Sequence, residues 1–266
     1  MRIGKQDARY QSISESDATS ITVRGLDLCS EIIGKLDFTS YFWLLVTGAA
    51  PSDAQKAMAD ATLAAIAEHG LVPSVVAARM TLAAAPEAFQ GAVSAGLLGC
   101  GSVVLGSAEA AGVMLAECAA ATAGGTSEER DETARDAVKR CRADGRAIPG
   151  FGHPQHSGGD PRAHRLIELA SDLGLSGIHI EMLHRVGGVL PDILGRALPM
   201  NVNGAIAAVM LDTGFPLGAL KGISLLARTA GLIAHLAEEQ DHPIGFILSG
   251  EAAAAIQHQP HYRSAV

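Results

Sequence analysis

The chain has 266 residues, enough for one large domain or two small ones around a buried core. It is rich in Ala, Leu and Gly and only 4% aromatic, a balance that favours closely packed helices over strands. A formal charge of −8, with no basic run interleaved by aromatics, argues against nucleic-acid binding.

Residues 1–20 are polar and are expected to fray or to lie on a partner. Across 21–48, short apolar pieces alternate with Gly25, Gly34 and Gly48 as stops. Ser52-Asp53-Ala54-Gln55 reads as a capping box opening a helix to about Glu68, with Met58, Ala61 and Ala65 and also Leu63 and Ile66 as its buried stripe. Helical patterns recur near 73–84, 86–100, 106–123 and 127–143. A Gly/Pro-rich break spans 148–159. Asp160 then caps a helix with Pro161 at its first position, where a missing N–H costs nothing; Leu166, Leu169, Ala170 and Leu173 share one face of it. Further helices fit near 177–195, 202–213, 217–240 and 246–257. No alternating run is long enough for a sheet, and no period repeats, so the expected fold class is all-α. No apolar run reaches the ~18 residues that span a bilayer, and the polar N-terminus is unlike a signal peptide, which predicts a soluble, cytoplasmic protein without membrane contact. Cys29, Cys100, Cys118 and Cys141 show no CxxC spacing and read as reduced packing thiols.

The chemistry concentrates in Pro149-Gly150-Phe151-Gly152-His153 and Asp160-Pro161-Arg162-Ala163. An imidazole on a constrained glycine loop can polarise a carbonyl, or accept a hydroxyl proton in reverse; the alternative is an idle loop histidine. His153, His156 and Asp160 lack the i,i+4 helical spacing of the common zinc motifs, so no metal is expected. Arg162 stands in a helix's first turn, where the dipole disfavours a cation and a nearby anion would explain it; an ordinary solvated arginine is the alternative. Arg228 lies in a strongly apolar helix, so it must serve an anionic ligand or an internal salt bridge. His69, after Glu68 and before Gly70, could simply cap its helix.

These segments together resemble the citrate synthase superfamily over most of the chain. Val23-Arg24-Gly25 through Phe38, Leu44-Leu45, Gly48 and Pro51 is similar to its N-terminal pattern. Glu68-His69-Gly70 with Ser74 and Ala78-Arg79 is similar to its substrate-binding helix. Gly150-Phe151-Gly152-His153 with Asp160-Pro161-Arg162 is similar to its most specific signature, and Asn201-Val202-Asn203 and Arg228 to its later segments. The resemblance implies a larger helical domain (1–111 and 206–266) with a smaller one (112–205) inserted, closing over coenzyme A. It implies that His153 polarises a ketone or takes the hydroxyl proton, that His69 binds substrate, that Arg162 and Arg228 each clamp a carboxylate, and that Gly150, Phe151 and Gly152 contact coenzyme A as part of the substrate, with no permanently bound cofactor. A homodimer through the helix around 86–106 also follows, with Arg263 reaching the neighbouring site.

Three departures stand out. Leu105 replaces a family catalytic histidine, Asn203 replaces the aspartate that acts as base, and Pro154 follows His153 where many members have arginine. The short length and the missing histidine resemble citryl-CoA lyase-type members, including the lyase module of ATP-citrate lyase, although that module keeps the aspartate and has a histidine where this chain has Ala77. The expected function is therefore C–C cleavage of a 3-hydroxy-3-carboxy acyl-CoA, with Asn203 positioning a water. The alternatives are a catalytically impaired CoA-thioester or polycarboxylate-binding homologue, and a lyase for another acyl-CoA with Glu109 or His156 as candidate base.

Overall fold

The computed structural model describes residues 9–101, 105–152 and 159–259. Eleven α-helices among these residues make the fold all-α. They are α1 (Phe38–Thr47), α2 (Asp53–Ala67), α3 (Pro73–Ala84), α4 (Phe89–Leu98), α5 (Ser107–Ala121), α6 (Ser127–Ala143), α7 (Pro161–Asp172), α8 (Ile178–Leu194), α9 (Val202–Asp212), α10 (Leu220–Asp241) and α11 (Gly245–Ala255). Two expectations are corrected. Residues within 14–27 form a small antiparallel sheet, β1 (Ser14–Ser16), β2 (Ile21–Val23) and β3 (Leu26–Asp27), in the order β1-β2-β3. Strands of two or three residues are too short to show an alternating pattern. The second correction concerns Leu217–Asp241, which by length and composition is apolar enough to cross a membrane. It nevertheless buries Leu220, Ile223, Leu232 and Leu236 completely inside protein, as a core helix does.

The chain packs as two compact units, Met1–Thr62 with Ala111–Leu220, and Leu63–Ala110 with Lys221–Val266. In the first unit α9 is the central element: every residue from Gly204 to Met210 is buried, the all-round apolar pattern of an enclosed helix. α7 and α8 pack on it, and α6 packs on α8. Phe215, just past α9, stacks in tilted fashion on Trp43 at 5.3 Å and Phe42 at 6.1 Å, which fastens α1. The capping box at α2 forms as expected: the Gln55 N–H donates to Ser52 Oγ, and the Ser52 N–H donates to Gln55 Oε1. The buried stripe of α2 is shifted from the expected one, to Met58, Ala59, Thr62 and Ile66; Ala61, Leu63 and Ala65 are only half-buried. On α7 the buried face is Ala163, Leu166 and Ala170, with Leu169 and Leu173 at its margin.

In the second unit α3 packs on α4 and α11. Its core gathers Val75, Ala78 and Leu82 of α3, Ala92 of α4, and Leu232 and Leu236 of α10. Cys100, Cys118 and Cys141 are buried free thiols, whereas Cys29 is exposed. Burial pushes the Cys100 and Cys118 thiols up, away from the reactive thiolate.

Candidate functional site

The signature loop is built onto the start of α9 by backbone pairing. Gly152 N–H donates to Pro199 O at 2.7 Å and Asn201 N–H to Gly150 O at 3.0 Å, with Phe151 bridged antiparallel to Met200. Asn201 then does two jobs. Its Oδ1 caps α9, accepting from the N–H groups of Asn203 at 3.1 Å and Gly204 at 3.2 Å, while its Nδ2 donates to Gly152 O at 2.8 Å. Gly204 permits this approach: a Cβ there would stand 2.7 Å from Gly150 O and 2.8 Å from Gly150 Cα. Gly150 and Gly152 both have positive φ. The Phe151 ring is buried and packs against α8, where a Cβ on Gly187 would sit 3.1 Å from it. The ring is therefore occupied by the core, and with Gly150 buried as well it is the half-buried Gly152 that carries the loop's accessible backbone.

Arg162 is placed by a residue whose wider role the sequence did not reveal. Asp160, fully buried, caps α7 and accepts from the Arg162 N–H at 3.1 Å, Nε at 3.0 Å and NH2 at 2.9 Å, and from the Val202 N–H at 2.9 Å. The anion that explains a cation in the first turn of α7 is thus the helix's own cap. Burial opposes ionisation of Asp160, but the hydrogen bonds from Arg162 and Val202 outweigh it and hold the carboxyl below the usual carboxylate range. One carboxylate thereby ties the N-termini of α7 and α9 together and orients a guanidinium that is still partly exposed (22%). Asn203, in the first turn of α9, has a buried Oδ1 with no hydrogen-bond donor among the described residues. His153 and Pro154, with His156, lie outside the described residues.

The other two candidates fall in the second unit. α10 crosses the end of α2 so closely that a Cβ on Gly231 would stand 2.1 Å from Ala67 O. Arg228, Gly231 and His235 are spaced i, i+3, i+7 and share that face of α10. Arg228 is 3% exposed, and its positive charge is felt by the Cys100 thiol. His69 is half-buried just past α2. The Glu68 carboxylate folds over the turn that follows α2: its Oε1 accepts from the His69 N–H at 2.8 Å and also from the Gly70 N–H. Glu68 Oε2 lies 3.0 Å from His235 Nε2. His235 Nδ1 lies 3.1 Å from Arg79 NH1, and Arg79 pairs with Glu238 and Glu239, each at 2.6 Å. Burial works against ionisation of Glu68, but hydrogen bonds from His235, Gly70 and His69 win and hold its carboxyl below the usual range. Arg79 appeared in the sequence only as part of a motif; its ion pairs, buried with Glu239 and exposed on the Glu238 side, had no local signal, because Glu238 and Glu239 are 159 and 160 residues away.

Leu105, at the position of the family histidine, is buried with φ of +68°, an uncommon backbone region for leucine. It offers no proton-transfer group. Among the described residues no three His, Cys, Asp or Glu side chains converge as metal ligands would.

The comparisons with known proteins agree with these motifs. Residues 12–245 match the family model described as citrate synthase, C-terminal domain. A citrate synthase from Synechocystis sp. is 27% identical over 209 residues, covering 77% of this chain and 50% of its own length. The chain thus spans about half the length of that relative. Among solved structures, citryl-CoA lyase from Hydrogenobacter thermophilus superposes with a TM-score of 0.82 at 27% identity, covering 100% of this chain and 98% of the other. ATP citrate lyase from Methanothrix soehngenii, in complex with citrate and coenzyme A, superposes with a TM-score of 0.76 at 20% identity, over 97% of this chain and 43% of its own, a likeness of fold. Since the family model spans nearly the whole chain and includes the loop, Arg162, Asn203 and Arg228, this chain belongs to the citrate synthase family.

Proposed function

We propose that this chain is a citryl-CoA lyase-type enzyme, cleaving citryl-CoA or a related 3-hydroxy-3-carboxy acyl-CoA to an acyl-CoA and a 2-oxo acid. The observation that carries the reading is the match to citryl-CoA lyase over 100% of this chain and 98% of that one, where the match to the citrate synthase covers 77% of this chain and 50% of the other. In this reading Arg162, aimed by Asp160, and Arg228 each hold a substrate carboxylate in the bidentate manner of guanidinium, and His69 holds the hydroxyl or a carboxylate. The backbone of 150–152 receives coenzyme A. His153 takes the hydroxyl proton as the C–C bond breaks; the bonding pair passes to the thioester enolate, and that proton is balanced by the one finally delivered to the enolate carbon. Asn203 cannot supply it, because a carboxamide does not exchange protons near neutral pH. Its Oδ1 can instead accept a hydrogen bond from a water that does, which would satisfy that otherwise unmet acceptor.

A second reading has a specific observation behind it. With Leu105 buried and Asn203 a carboxamide, both altered positions lack proton-transfer groups, so the chain would bind a CoA thioester or polycarboxylate without turning it over. The division into a large domain (1–111 and 206–266) and an inserted small one (112–205) belongs to the proposal too. A cytoplasmic location is likewise proposed.

The test is to incubate the protein with citryl-CoA and related hydroxyacyl-CoA thioesters and follow acyl-CoA and oxo-acid release by chromatography. Cleavage is expected, falling roughly 100-fold or more in His153→Ala with the helical circular-dichroism signal intact, and rising roughly 10-fold in Asn203→Asp. Binding of the thioester without product in both the unaltered protein and Asn203→Asp would sink the lyase and favour the binding role.

A further inference from the structure

We propose that His235 is a positioning residue for His69, acting through Glu68; this rests on the reading of His69 as a substrate ligand. Arg79 has only donors, so the nitrogen facing it, His235 Nδ1, must accept. The ring proton therefore sits on Nε2, which donates to Glu68 Oε2 at 3.0 Å. Three donors thus converge on the two oxygens of Glu68: His235 Nε2–H, and the backbone N–H groups of His69 and Gly70. An ionised carboxylate, with acceptor capacity on both oxygens and no proton of its own, meets all three.

The rigidity of this arrangement runs in one direction. Arg79 and Glu239 are 2% and 3% exposed, and Glu239 Oε1 also accepts from the N–H groups of Ile244 at 2.9 Å and Gly245 at 2.7 Å, at the start of α11. That end is anchored. Glu68, by contrast, is half-exposed, and a long side chain in that setting loses rotamer freedom to hold one geometry. His235 lends it the geometry of the buried end. The turn that presents His69 is therefore fixed by a chain of hydrogen bonds from the core, and not by α2 alone.

Two variants separate this role from simple packing. The amide of asparagine reaches the position of Nδ1, so His235→Asn keeps an acceptor for Arg79 and loses the arm to Glu68. The longer His235→Gln keeps a donor for Glu68 and loses the acceptor for Arg79. Amide hydrogen exchange at His69 and Gly70, followed by NMR, is expected to quicken roughly 5-fold or more in His235→Asn and less than about 2-fold in His235→Gln. The thermal midpoint should fall further in His235→Gln, because that variant leaves a buried Arg79 donor unmet. Exchange that follows the thermal midpoints instead, or that is unchanged in His235→Asn, overturns the proposal. If neither variant folds, Glu68→Gln at its half-exposed position asks the same question, since one of the three donors must then lose its acceptor; unchanged exchange there overturns the proposal as well. In the cleavage assay His235→Asn should have the higher KM for citryl-CoA of the two. Equal KM values with the expected exchange pattern would uphold the positioning and overturn the substrate role of His69.

Discussion

Asp160 shows how much one side chain can decide. Its four hydrogen bonds aim Arg162, cap α7 and bind the first turn of α9, from a position with no solvent exposure. Replacing it by Asn keeps the shape but leaves the guanidinium without its counter-charge, a loss on the order of 3 kcal/mol. The pH dependence follows from the direction of its shift. A carboxyl held below its unfolded value contributes stability that is fully present above that value, about pH 3.9, and is lost as the pH falls through the lower folded value. Asp160→Asn should therefore unfold more easily than the parent at pH 7, with the gap closing in strong acid, where the parent's carboxyl is itself protonated. Urea titrations at a series of pH values test this; a gap that stays constant down to pH 2 would show that charge is not the cause.

At the scale of elements, the site depends on helices and loops approaching to backbone contact. The signature loop lies on α9 because Gly204 has no Cβ to hold it off. Gly204→Ala must push Gly150 away, at a cost of about 1–3 kcal/mol, and should reduce cleavage by displacing the loop that carries His153. Gly188 on α8 is the natural control: it is exposed and a Cβ there meets nothing within 4 Å. Gly188→Ala should be neutral or stabilising by up to ~1 kcal/mol. Thermal unfolding of the two variants checks both claims, and equal melting temperatures would remove the close approach as an explanation. The same reasoning applies where α10 meets the end of α2 at Gly231, which brings the face bearing Arg228 and His235 to the turn that bears His69.

On the scale of the whole molecule, the expected homodimer would have a mass about twice 27.3 kDa by light scattering, with the helix around 86–106 at its interface and Arg263 contributing to the neighbouring site. Arg263 and residues 102–104 lie outside the described residues. A dimer whose turnover is unaffected by Arg263→Ala would remove that residue from the site, and a monomer with full turnover would remove the dimer from the mechanism. Much of this protein was legible in its sequence, since helix periodicity, the Ser52 box and the Asp160-Pro161 cap depend on neighbours three or four residues apart. So α3 and α6 begin and end where their patterns do, and Gly150-Phe151-Gly152 marks its loop without help from the fold. The short β1–β3 sheet escaped notice because strands this brief carry no periodic signal. What only the tertiary structure decided are the partners of the charged groups. Asp160 reaches Val202, Glu68 reaches His235 and Arg79 reaches Glu239, and contacts across so much chain are set by packing, which no local pattern records.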